Sequence, residues 1–72
     1  MKPGDIILVR VYPDKIEERV VVQVETTYVV VCRPEVYQSV AGTPGVPNAS
    51  MGFPIEDVLE VRGPFALANR SQ

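Results

Sequence analysis

The run from Arg19 to Arg33, Arg-Val-Val-Val-Gln-Val-Glu-Thr-Thr-Tyr-Val-Val-Val-Cys-Arg, limits what this chain can fold into more than any other stretch. Val and Thr lose side-chain freedom in a helix and suit a pleated surface, so the run is read as β structure. A single strand of that length would far exceed the usual size of about five or six residues. The polar middle, Glu25-Thr26-Thr27, is therefore expected to turn the chain, giving a central hairpin. In its first arm, a strand beginning at Arg19, the residues Val20, Val22 and Val24 share one face, and Arg19, Val21, Gln23 and Glu25 share the other. The all-valine face is the expected core side. In the second arm both faces are apolar, and alternation does not choose between them.

The flanking segments supply the remaining strands. Lys2-Pro3-Gly4-Asp5 combines a preset dihedral, a permissive one and a side chain able to bond back to the backbone, which reads as an opening turn. From Ile6 to Tyr12, Ile7, Val9 and Val11 alternate with Ile6, Leu8 and Arg10, as in a strand covered on both sides for most of its length. Pro13-Asp14-Lys15 turns the chain back. After Arg33, Pro34 ends regular pairing because it has no donor for a ladder, and Glu35-Val36-Tyr37 is expected to continue as an edge strand. Gln38 to Ser50 gathers Gly and Pro without periodicity and is expected to be a loop that contacts a partner. Met51-Gly52-Phe53 re-enters the sheet, Pro54 to Val58 suits one helical turn with acids near its start, and Leu59-Glu60-Val61 forms a short last strand. The expected fold is all-β: a small five-stranded SH3-like barrel with one 3₁₀ turn before the last strand. One domain spans residues 1–63, with 64–72 as a C-terminal tail on which Phe65 and Leu67 are placed to dock.

Composition narrows the chemistry. With no histidine, the usual general base and the commonest zinc ligand are both missing, and no metal or other cofactor is expected. The acid pairs Glu17-Glu18 and Glu56-Asp57 are read as solvated charges, because strand neighbours point to opposite faces. The single cysteine, Cys32, cannot form an internal disulfide and reads as a small buried hydrophobe inside its valine run. No phosphate-cradling loop, nucleophile elbow or dinucleotide fingerprint is present. Seven basic against nine acidic residues give a net charge of −2, which provides no global attraction to nucleic acid. No apolar run approaches the roughly 20 residues of a membrane-spanning helix. An acid stands where a secretory signal would be apolar, so a cytoplasmic protein is expected.

Gly4-Asp5-Ile6-Ile7-Leu8-Val9, followed by Pro13, Lys15, Glu18 and Arg19-Val20-Val21-Val22, resembles the opening of the MazF/PemK toxin family. Gly52-Phe53-Pro54-Ile55-Glu56-Asp57-Val58-Leu59 is similar to the segment that follows that family's active-site loop. The resemblance implies an SH3-like barrel that dimerises and cuts RNA, with Arg19 as the arginine that stabilises charge on the phosphate. Two features depart from the pattern: Val20 stands in place of a proline, and Arg33-Pro34-Glu35-Val36 occupies the region where a hydroxyl residue follows the third strand.

The expected function is accordingly a non-enzymatic binding module that associates with itself or with a protein partner. Arg19, Arg33, Tyr37 and Phe53 are the candidate binding residues, offering charge and flat apolar faces. The alternatives are a MazF/PemK-like endoribonuclease or its inactive relative, with Arg19 as the catalytic residue, and a nucleic-acid-binding barrel in which arginines meet phosphates and tyrosines stack on bases.

Overall fold

The structure is a computed structural model and describes residues 1–40 and 49–66. Its strands are β1 (Asp5–Val11), β2 (Lys15–Val24), β3 (Tyr28–Cys32), β4 (Met51–Pro54) and β5 (Val58–Pro64), with a short helix α1 (Pro34–Ser39) after β3 and a 3₁₀ turn at Ile55–Asp57 before β5. All five strands form one antiparallel sheet in the order β4-β3-β2-β1-β5. The all-β class, the strand count and the 3₁₀ turn before the last strand are as expected. No ladder joins β4 to β5 among the described residues, so the barrel is not closed.

The core sits on one face of the sheet, where Ile7 and Val9 of β1, Val21 of β2, and Val29 and Val31 of β3 are fully buried. Val11, Phe53, Ile55 and Val58 pack against them. Val21 belongs to the face opposite the expected core side. The cause is a bulge in β2: Val20 opposes Cys32 and Val21 opposes Val31, but the next pairs are Gln23 with Val30 and Val24 with Val29. Val22 is the extra residue. A bulge shifts the alternation by one, so Val21 before it and Val24 after it both face the core side, and Gln23 turns outward. A periodic reading cannot see such an insertion.

Val20 and its cross-strand partner Cys32 are also buried, on the opposite face from Val21 and Val31. Burial there needs a cover, which α1 supplies by packing against β2. Here the expected edge strand at Glu35-Val36-Tyr37 is replaced by helix. Pro34 at the first helical position loses no bond that it could have made, Glu35 lies in the positively polarised first turn, and the Val36 and Tyr37 N–H groups donate to the Arg33 carbonyl at 3.0 Å. Six residues are too few for a helical period to show. Gln38 and Ser39, assigned above to a loop, close this helix, and residues 41–48 of that predicted loop lie outside the described residues.

Two expectations are corrected in extent. β2 begins at Lys15 rather than Arg19, because Ile16 to Glu18 pair with β1. β5 runs to Pro64, past the expected Leu59-Glu60-Val61. Phe65 follows directly: its N–H donates to the Gly4 carbonyl at 2.8 Å, and its ring meets Tyr37 edge-on, with centroids 5.5 Å apart. Leu67 lies outside the described residues. At the other end the opening turn forms as read, with the Lys2 N–H donating to Asp5 Oδ2 at 3.1 Å and the Lys2 ammonium 3.6 Å from Oδ1. Gly4 takes a φ of +94°, and a Cβ there would lie 3.4 Å from the Tyr37 hydroxyl.

Two stability measurements check this arrangement. In urea unfolding, Val21→Ala should cost about 1.5–3 kcal/mol, and Val22→Ala clearly less, the reverse of what unbroken alternation requires. Gly4→Ala should cost upward of about 1 kcal/mol, since alanine is strained at positive φ.

Candidate functional site

Where β2 outruns β3, a groove of about 400 Å³ lies at the end of β3, between the sheet and α1. Arg19 and Arg33 both line it, over an apolar floor of Val31, Val36 and Met51, with Glu35 on the rim. Each comes from a different element. Arg19 lies two residues before Val21 on the same face of β2 and directly opposite the buried Ile7 of β1. Arg33 is the residue that caps α1, Val36 comes from α1 itself, and Met51 opposes Val31 where β4 rejoins the sheet.

The two guanidinium groups differ in environment. The Arg19 side chain is only 14% exposed; its Nη1 donates to the Glu18 carbonyl at 2.8 Å and lies 3.6 Å from Glu17 Oε1. Glu17 is thus a positioning partner on the same strand face as Arg19, rather than a free solvated acid. Arg33 is 66% exposed, and its ion pair with Glu35 spans 4.0 Å between two solvated side chains. Such a pair is weak and easily exchanged for another anion. The groove therefore holds one oriented, half-committed cation and one available cation. Cys32 also contributes to its wall. Its thiol is pushed above the ordinary value chiefly by burial, which outweighs the opposing Arg19 charge, and Glu35 pushes it further up. A thiol held protonated in this way is a poor nucleophile.

The other two candidates lie elsewhere. Tyr37 is half-buried against Phe65, and Phe53 packs on the core, so neither presents its ring to the groove. Of the remaining tyrosines, Tyr28 has its ring edge within contact distance of a Cβ built at Gly52, and Tyr12 stands 87% exposed at the β1–β2 turn. The groove members that sequence reasoning missed are Val31, Cys32, Glu35, Val36, Ala49 and Met51, and it also missed Glu17, which holds Arg19 without lining the groove. A proline followed by an acid at 34–35 was the available signal, since it starts α1 and thereby brings Val36 and Glu35 to Arg19. Among the described residues, no group of three or more His, Cys, Asp or Glu is placed to hold a metal ion, and no helix is long and apolar enough to cross a membrane.

Compared with protein-family models, with curated proteins and with solved structures, the chain gives no match.

The state of Cys32 is measurable. A small disulfide reagent should label the native protein on the order of 100-fold more slowly than the urea-unfolded chain. Because the folded thiol titrates above the unfolded one, its contribution to stability should be full below about pH 8.5 and should be lost as pH rises through the raised folded value. Urea unfolding at a series of alkaline pH values, compared with Cys32→Ala, reads that slope.

Proposed function

We propose that this chain is a non-enzymatic binding module whose groove beside β3, α1 and β4 takes an extended, acidic segment of a partner protein. The observation that carries this reading is the convergence of Arg19 and Arg33 over the floor of Val31, Val36 and Met51. An oriented guanidinium beside an apolar floor suits a carboxylate flanked by aliphatic side chains. The more available Arg33 would exchange its weak Glu35 pair for the incoming acid. Glu17 and Glu35 stand among the arginines, which favours a ligand with one localised charge over a polyanion. The aromatic rings that single-stranded nucleic acid would stack on are not on the lining.

A MazF/PemK-like ribonuclease is the second reading, and the same convergence favours it, since Arg19 occupies the position that the resemblance gives to the phosphate-binding arginine. It asks more of the groove. One of the Arg19 nitrogens, Nη1, is already engaged by Glu17 and the Glu18 carbonyl, and the thiol in the wall is held protonated.

Titration with short peptides that place one Asp or Glu between Val and Leu, followed by amide NMR, tests the first reading. The amides of Arg33, Val36 and Met51 should shift, the carboxamide-substituted peptide should fail to shift them, and Arg33→Glu should weaken binding at least about tenfold. Incubation with a single-stranded RNA oligonucleotide should leave it intact. RNA cleavage that disappears in Arg19→Ala would instead establish the ribonuclease.

A further inference from the structure

We propose that the outer face at the β1–β2 turn is a self-association surface, on which a second copy of this chain seats Tyr12 and Asp14 in a small cleft. The cleft, of about 180 Å³, is lined by Arg10, Asp14, Lys15, Ile16 and Leu59. Ile16 opposes Arg10 across β1–β2, so the two share a face. Leu59 reaches this cleft through a second bulge: Leu8 opposes Glu60 and Val9 opposes Val58, leaving Leu59 as the extra residue of β5. Bulges re-aim side chains, and this one brings a 41% exposed leucine into a cleft shared with a 61% exposed isoleucine. That apolar area is open to solvent in the single chain.

Charge identifies the occupant. Among the described residues, Lys2, Arg19, Arg33 and Arg62 each lie within 4.0 Å of a carboxylate of the same chain. Arg10 and Lys15 have no such partner, and both line this cleft. Among the described residues, most basic side chains are thus paired within the chain, while the two that are not flank the same apolar spot. Asp14, between them in sequence, also has no ion-pair partner among the described residues. A two-fold axis makes the set self-complementary: each Asp14 meets the other copy's Arg10 and Lys15, and both contacts form at once. The same axis brings the most exposed aromatic of the described residues, Tyr12, to the partner's Ile16 and Leu59, where a ring with a polar tip suits an apolar floor under a charged rim. This surface is separate from the arginine groove, and the inference does not depend on the proposed ligand.

Sedimentation equilibrium tests it. The wild type should sediment at twice the chain mass of 7.9 kDa. Arg10→Glu/Lys15→Glu and Asp14→Lys should each weaken association at least about tenfold. An equimolar mixture of these two variants should recover the dimer, because reversed charges again meet their opposites. Circular dichroism checks that both are folded; if either is not, Tyr12→Ser, which should weaken association similarly, decides. Arg33→Glu should dimerise normally, which separates this surface from the groove. A wild type that stays monomeric at its highest soluble concentration, folded variants that dimerise as the wild type does, or a mixture that fails to recover the dimer would overturn the proposal.

Discussion

The bulge at Val22 is the constraint from which both the core and the groove follow. An unbroken β2 has two choices. It can bury Val20, Val22 and Val24 and turn Arg19 outward, or bury Val21 and bring Gln23 and Glu25 in with it. Inserting one residue removes the conflict, because Arg19 and Val21 face inward before the bulge and Val24 faces inward after it. One strand thereby delivers a cation to the end of an apolar interior without placing polar groups in its middle, where leaving them unpartnered would cost on the order of 1–3 kcal/mol each. The inward arginine is then held by its own strand, through Glu17 and the Glu18 carbonyl.

The second face depends on the same strand. Val20 and Cys32 are buried behind the sheet because the chain leaves β3 into α1 and folds it back over β2. Phe65 and Tyr37 join the two ends of the described chain near Gly4, with the Phe65 amide bonded to the Gly4 carbonyl and the Gly4 amide bonded to the Val21 carbonyl at 2.8 Å. A sheet this small gains stability by covering both of its faces, since a chain of this size buries a modest share of its surface in any single core. The result is a sheet that is open between β4 and β5, yet has two buried layers.

Much of this was legible in the residues. The β-branched content of 19–33 specified a hairpin and Glu25-Thr26-Thr27 specified its turn, whereas β1 is apolar on both faces and its alternation left open that Ile7 and Val9 are the buried side. The Pro54 segment specified the 3₁₀ turn, and Cys32 lies buried as a small hydrophobe should. The inner face of β2 was not legible, because a bulge is a property of pairing with β3 and leaves no mark on a valine run. Helix α1 was missed because Pro34 was read for the ladder bond it cannot make, and not for the helical position that it fits. Arg19 and Arg33 were legible as a pair that ends one stretch, and the structure brings them to one groove. Tyr37 and Phe53 were chosen for chemistry alone, and packing directs their rings elsewhere.

The position of Arg19, and with it the groove, therefore rests on one register. Cross-strand Hα and amide contacts between β2 and β3, read by nuclear Overhauser effects, measure it directly. The account predicts contacts of Val21 with Val31 and of Gln23 with Val30, with Val22 unpaired between them. A continuous ladder in which Val22 opposes Val30 would contradict it, since the alternation would then run unbroken and one strand could no longer combine an inward Arg19 with an apolar interior.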